Sequence, residues 1–381
     1  MNQKEVSEIR RRFRPDYSNI TKVTGVYVSD TGEILSRFTQ SVGMMLDDEK
    51  EKLLGILKRT LSGGLGKNLL DLSIPTQEVA QGPSLALLSK LRDSQLEDTE
   101  AAQAFFDQVI PTVTMETNYL ILLCCDAYDV PHRGRDGLGG DSEEVYRYLI
   151  SCVCPVKLTK SNLSFQVKEG EFHNSKTDWV VGAPELGFLY PAFDSRATNL
   201  YGALLYSRSI ADNHEDFIRA VFNAEPPMAA AEQRETFQSA LCDALEESCS
   251  MEVVQSVHDY LRQRIQEHKD SRDPEPLAVT AGEVSGVLRN CGVPEARVEA
   301  FQSACGKSFG EGALAPANLI DAKHFAVKTA DATIQVDPER SYLVEARIID
   351  GRRYLLVPAD ESVEVNGLGV RIAARDSGET N

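Results

Sequence analysis

Tyr119-Leu120-Ile121-Leu122-Leu123-Cys124-Cys125 is the stretch that decides the fold. Seven residues without a charged side chain have the continuous apolar character that suits a central strand covered on both faces, since successive side chains of a strand point to opposite sides. Working back from it, residues 25–38 predict a hairpin: Val26 and Val28 alternate into Ser29-Asp30-Thr31-Gly32, and Ile34 to Phe38 return. Leu53, Leu54, Leu57 and Leu61 predict a helix, with Asp47, Asp48 and Glu49 ahead of it, Lys58 and Arg59 in its last turn and Gly63 beyond. Further helices are expected over 84–95 and 99–110, the second stopped by Pro111. Strands are expected over 149–158, 186–190 and 200–208. Together these describe a mixed α/β body.

Downstream the pattern changes. Phe237, Leu241 and Leu245 form one helical stripe, and Val253, Val257, Leu261 and Ile265 another, separated by polar residues 246–250, which predicts an αα-hairpin. Residues 268–276 have no apolar side chain and include Pro274 and Pro276, so a domain boundary is placed there. Thr280 is suited to cap a helix through Val284, Val287 and Leu288, and Pro294 to open another through Val298 and Phe301. A β meander follows, with Asp350-Gly351 and Asn366-Gly367 as tight-hairpin signals. The expected class is α+β. The expected division is a mixed α/β domain over 1–211 with a basic N-terminal arm, an acidic helical hairpin over 212–272, a C-terminal α+β domain over 273–374, and a frayed tail over 375–381.

Charge and composition exclude several functions. The 381 residues carry 58 acidic against 40 basic side chains, a formal net charge of -18, so nonspecific binding to nucleic acid or an anionic membrane is disfavoured. No stretch approaches the ~20 apolar residues of a membrane span, and the polar run after Met1 is unlike a signal peptide, so a cytoplasmic location and no membrane contact are expected. Against this acidic background, Lys4, Arg10, Arg11, Arg12 and Arg14 make the N-terminal arm basic, and it is expected to lie against acidic protein surface, its own or a protein partner's. None of the eight cysteines is in C-x-x-C spacing, so they read as reduced, mostly buried thiols.

Six segments, among them "TLSGGLGKNLLDLSIPTQEV", "LLCCDAYDVPHR" and "EFHNSKTDWVVGAPELGFLYPAFDSRATNLYGALLYSR", resemble in order one bacterial family, domain of unknown function four-three-one-seven. The resemblance runs over nearly the whole chain. It implies a cytosolic bacterial protein and carries over no catalytic or binding residue.

Candidate chemistry therefore has to be read from the residues. Gly63 to Asn68 offers glycine amides and Lys67, yet Leu61 stands where a phosphate loop needs glycine and Asn68 where it needs Ser or Thr, so a helix cap and turn are expected. Asp126, Asp129 and His132 leave the end of the apolar strand and are suited to hard-metal ligation or acid/base work; Asp and Pro131 there are also what a chain reversal requires. The glycine-rich run 133–142 reads as a surface loop, and Glu143 as the start of a helix through Val145, Tyr148 and Leu149. His173 and Asp178 lie near Trp179, the only tryptophan, and either form a polar pocket or surround a Trp179 packed in the core. Arg196 is equally suited to hold a carboxylate or phosphate or to pair with Asp194. His214, His258 and His268 read as solvated. With no recognised enzyme motif, the leading reading is a non-catalytic interaction or regulatory protein. The alternative is a metal-dependent hydrolase using Asp126, Asp129, His132, His173 and Asp178, whose cofactor the sequence does not name; that site requires the five side chains to converge.

Overall fold

A computed structural model describes residues 1–133, 139–174, 177–310, 314–359 and 363–370; the side chains of 132, 133 and 139–144 also lie outside the described set. The chain forms two compact units, Met1–Glu235 with Arg272–Pro276, and Thr236–Ser271 with Leu277–Asn381.

The first unit opens with α1 (Gln3–Arg12), followed by β1 (Lys22–Val28), β2 (Ile34–Ser41), α2 (Asp47–Arg59) and β3 (Leu69–Ser73). Three helices come next, α3 (Thr76–Gln81), α4 (Pro83–Asp93) and α5 (Thr99–Val109). The long strands β4 (Tyr119–Arg133) and β5 (Gly139–Leu158) follow, then β6 (Leu163–Gln166), β7 (Glu171–Asn174) and β8 (Trp179–Val181). The unit continues through β9 (Leu186–Tyr190), β10 (Ala192–Asp194), β11 (Ala197–Asn199), β12 (Gly202–Ser207) and α6 (Glu215–Phe222). One antiparallel sheet in the order β2-β1-β4-β5-β9-β12-β3 organises it, with β8 added to β5.

β4 lies in the middle of that order because nothing in its first half tolerates water. Ile121 and Leu123 face a core shared with α4, α5 and α6, whereas Leu122 and Cys124 face a second core shared with α1 and α2. The sheet is thus covered on both faces, as the unbroken apolar run requires. Phe217, Ile218, Val221 and Phe222 place α6 in the first of these cores, so the sheet unit extends past the expected boundary at residue 211. Residues 272–276, expected as a linker, are tied to α1: Gln3 N–H donates to the Pro274 carbonyl at 3.1 Å, and Asn2 Nδ2 to Glu275 Oε1 at 3.1 Å.

The expected helix from Glu143 is instead the continuous strand β5. Val145, Tyr148 and Leu149 have helical spacing, but Tyr146 and Tyr148 are fully buried while Val145 and Arg147 face solvent, and this period of two is what the partner strands select. Of the run 133–142 expected as a surface loop, 133 belongs to β4 and 139–142 to β5, and residues 134–138 lie outside the described residues.

α7 (Ala230–Leu245) runs from the first unit into the second, which continues with α8 (Met251–Ser271), α9 (Ala281–Asn290), α10 (Glu295–Phe309) and α11 (Pro316–Leu319). Phe237, Leu241, Leu245, Val257 and Leu261 join Val284, Leu288, Val298 and Phe301 in its core. A capping box starts α9, in which Thr280 Oγ1 accepts from Glu283 N–H and Glu283 Oε2 from Thr280 N–H. The C-terminal strands pair as successive antiparallel hairpins: β13 (Phe325–Lys328) with β14 (Thr333–Val336), β15 (Glu345–Ile349) with β16 (Arg352–Leu356), and β17 (Val363–Val365) with β18 (Leu368–Val370). Asp350 (φ 50°) with Gly351 (φ 74°), and Asn366 (φ 51°) with Gly367 (φ 81°), have the two left-handed residues of a type I′ turn, whose twist matches that of paired strands. No helix of the described residues is long and apolar enough to cross a membrane.

Candidate anion site

The sequence-predicted catalytic residues do not assemble. Asp126 pairs across the ladder with Tyr148, whereas Trp179, next to Asp178, pairs with Leu158. The stretch of β5 from Tyr148 to Leu158 spans about 33 Å at ~3.3 Å per residue, which separates Asp126 and Asp129 from Asp178 and the adjoining β6–β7 hairpin. Asp129 is exposed. The backbone of His132 pairs with Gly140 near the far end of the ladder, and its side chain lies outside the described residues. His173 is on the exposed β6–β7 hairpin with Nε2 3.3 Å from Glu169 Oε2, and the Asp178 N–H donates to Thr159 Oγ1 at 2.9 Å. Among the described residues no group of three or more His, Cys, Asp or Glu could hold a metal ion. Trp179 is 61% exposed and does not enter the core, because β8 adds to β5 beyond the covered part of the sheet.

Asp126 has a structural role. Its side chain is fully buried, its Oδ1 accepts the N–H groups of Asn19 and Ala127, both at 2.9 Å, and its Oδ2 accepts the Tyr148 hydroxyl at 2.8 Å. Arg12 Nε lies 3.5 Å from the same Oδ2. Burial raises the Asp126 pKa, opposed by Arg12 and by these hydrogen bonds. Burial also holds the Tyr148 hydroxyl well above its usual pKa, so it remains a donor.

On the α1 side of this carboxylate a cavity of about 540 Å³ opens to solvent. Its geometry begins in α1. Asn2 Oδ1 accepts the N–H groups of Lys4 and Glu5, and Glu5 returns a bond to Asn2 N–H, which fixes the helix start. Val6, Ile9 and Phe13 then fill the core, so that Glu8 and Arg12, four residues apart, share the flank that meets β4. Arg12 donates through Nη2 to the Ala127 carbonyl at 3.2 Å, and its guanidinium lies 4.8 Å from the centre of the Tyr128 ring. Arg196 arrives from the β10–β11 turn. Its Nη1 contacts both oxygens of Glu8 at 2.6 and 2.5 Å, and Nη2 donates to the Pro131 carbonyl at 2.9 Å. The Tyr128 hydroxyl donates to Glu8 Oε1 at 2.8 Å. Arg196 thus pairs with Glu8, not with the neighbouring Asp194. Ser195 and Arg196 have φ of 51° and 62°, a left-handed pair without the usual Asn or Gly, in the turn whose guanidinium contacts Glu8.

Arg11 and Arg14 complete the cavity wall with Tyr17. Both arginines are exposed and, among the described residues, make no ion pair. Among the described residues two of these positive charges are therefore satisfied internally, by Glu8 and Asp126, and two are not. A wall of guanidinium groups in a concavity is suited to bidentate recognition of a carboxylate or phosphate.

The family model of Domain of unknown function (DUF4317) matches residues 1–368. The chain belongs to the DUF4317 family. No curated protein and no solved structure matches it.

In this DUF4317 chain the sequence reading names Arg11, Arg12 and Arg14 only as part of a basic arm, and does not name Glu8 or Tyr128. The cluster of arginines at 10–14 is the available signal, and the two alternatives for Arg196 name the right chemistry; nothing local links them to Glu8. The Gly63–Asn68 segment is a turn after α2, with Gly63 (φ 102°) and Gly66 (φ 70°) left-handed and Asn68 Nδ2 donating to the Ser207 and Arg208 carbonyls. His214, expected to be solvated, has Nε2 3.2 Å from Ser207 Oγ and Nδ1 3.4 Å from Asp212 Oδ2, an order that resembles a hydrolytic triad. Ser207 is 1% exposed and its hydroxyl is within 2.7 Å of the Ser209 and Asp212 carbonyls, so it braces the loop and presents no nucleophile. His258, also expected to be solvated, is buried with Nε2 3.0 Å from the Asp321 carbonyl oxygen.

Proposed function

We propose that this chain is a non-catalytic cytoplasmic binding protein, of interaction or regulatory type, that recognises an anionic group in the arginine-lined cavity of its first unit. The observation that carries the reading is the charge imbalance: Arg11 and Arg14 face the cavity with no counter-ion among the described residues, beside Arg12 and Arg196 whose counter-ions are built in. An anion entering there gains charge-assisted hydrogen bonds without having to break an existing pair. Catalysis is not what the cavity favours. Glu8, the one carboxylate lining it among the described residues, already accepts from Arg196 and Tyr128 and is poorly placed as a general base, and burial together with Glu8 raises the pKa of the Tyr128 hydroxyl, which disfavours a nucleophilic phenolate. Eight free thiols and the absence, among the described residues, of a long apolar helix support the assignment to the cytoplasm.

Thermal unfolding with and without inorganic phosphate tests the reading. A ligand that binds only the folded state at a hundred times its Kd adds about 2.7 kcal/mol, read as a rise in Tm. The rise is expected in the wild type and is expected to be lost in the Arg11→Ala/Arg14→Ala double variant. An equal rise in both would place the anion elsewhere and remove the proposal.

A further inference from the structure

The cavity holds a second feature that narrows the ligand. Glu8 is an acceptor-only carboxylate set among the arginines. Its Oε1 accepts from Tyr128 and Arg196, while its Oε2 accepts from Arg196 alone, which leaves acceptor capacity on Oε2. The side chain is 18% exposed, so that capacity is reachable from the cavity. An anionic group placed against Glu8 would be repelled, and one placed against Arg11 and Arg14 would not. A neutral donor, a hydroxyl, fits beside Glu8. The cavity therefore offers both guanidinium groups for an anion and a carboxylate that seeks a donor, and a volume of about 540 Å³ admits a small molecule that meets both.

From this arrangement, and resting on the anion-site reading above, we infer that the ligand is a small phosphate monoester carrying hydroxyl groups, its phosphate held by Arg11 and Arg14 and a hydroxyl donated to Glu8. Three arguments favour it over an acidic peptide. A phosphate monoester concentrates about −1.5 to −2 charges in one group, matching the two guanidinium groups of Arg11 and Arg14 that line the same cavity. A peptide carrying the same charge on separate carboxylates would extend past the cavity over a body of net charge -18. A peptide also has no hydroxyl in fixed relation to its anion, whereas a sugar phosphate does.

Titration calorimetry of the full chain at low salt, with four probes, tests this. Glucose 6-phosphate is expected to bind, and cyclohexylmethyl phosphate, the same shape without hydroxyls, to bind about tenfold more weakly, one hydrogen bond to a charged acceptor being ~1.5 kcal/mol. Inorganic phosphate is expected to bind more weakly than glucose 6-phosphate, and hexaglutamate not to bind. Arg11→Ala and Arg14→Ala are each expected to weaken glucose 6-phosphate about tenfold. Glu8→Ala is expected to bring the ratio between the two esters to about one, whatever it does to either affinity, and Glu8→Gln to reduce it, which provides a second reading if the alanine variant fails to fold. Arginine-dependent binding of hexaglutamate without binding of the esters would overturn the ligand class and leave the anion site standing. Equal affinity for the two esters in the wild type would overturn the role of Glu8 and with it this inference. If no probe responds to either arginine substitution, both this inference and the anion site fall.

Discussion

β5 runs on at both ends beyond its pairing with β9, and the two ends have opposite chemistry. At one end buried Asp126 accepts from Tyr148 with Arg12 at 3.5 Å, and Glu8 accepts from Tyr128 and Arg196 in an arginine-lined cavity. At the other, Leu158 and Trp179 pair across β5 and β8, and both are more than half exposed, as are Phe165 and Phe172 of the adjoining hairpin, whose rings are 5.2 Å apart. The difference teaches what burial does with each residue type. A buried carboxylate is retained only with partners, so every atom around Asp126 is fixed and the site inherits a defined shape. Exposed aromatic residues on a thin hairpin have few partners to lose and fix little. A search for function guided by aromatic and histidine content leads to the second end; the geometry leads to the first.

If this contrast holds, substitutions at the two ends differ in cost by an order of magnitude. The largest effect is expected from Asp126→Ala, which strands two backbone N–H groups, the Tyr148 hydroxyl and the Arg12 guanidinium; a loss of about 3 kcal/mol or more is expected in denaturant unfolding. Tyr148→Phe removes one donor from the same carboxylate and is expected to cost about 1.5–3 kcal/mol by the same measurement.

The third expectation concerns pH. Burial sets the folded Asp126 pKa above the unfolded value, so the native state binds the proton more tightly than the unfolded chain. Its contribution is therefore fully present below the unfolded pKa of about 3.9 and is lost as pH rises through the folded pKa. Relative to Asp126→Asn, which does not titrate, the wild type is expected to lose stability as pH rises through that window. A difference that grows with pH would mean that Arg12 and the hydrogen bonds outweigh desolvation. The smallest effect is expected at the other end of β5, where Trp179→Ser should change stability by no more than about 0.5 kcal/mol. A loss comparable to that of Tyr148→Phe would show that the exposed end is also structural.

How much of this the sequence reveals depends on whether the signal is local. The run from Tyr119 to Cys125 reads correctly because an unbroken apolar strand has only one solution, cover on both faces. Asp350-Gly351 and Asn366-Gly367 read correctly because left-handed turns restrict which residues fit. The Thr280 and Glu283 capping box is equally local. By contrast, Val145, Tyr148 and Leu149 satisfy helical spacing while belonging to a strand, and only burial against neighbouring strands distinguishes the two periods. The candidate site is hardest to read because Glu8 and Arg196 meet across 188 positions of sequence. Asp126 stands out in the sequence for its place at the end of the strand, and the structure uses it to hold Arg12, Tyr148 and the Asn19 backbone.

The central claim is that Arg11 and Arg14 are the unbalanced charges of the molecule's anion site, and side-chain NMR of the guanidinium groups tests it most directly. On titration with glucose 6-phosphate, the Nε–Hε signals of Arg11 and Arg14 are expected to shift and saturate together. That of Arg289, held by Glu295 at 2.7 Å in the second unit, is expected to stay in place. Stationary Arg11 and Arg14 signals, or a uniform drift of all three without saturation, would contradict the account.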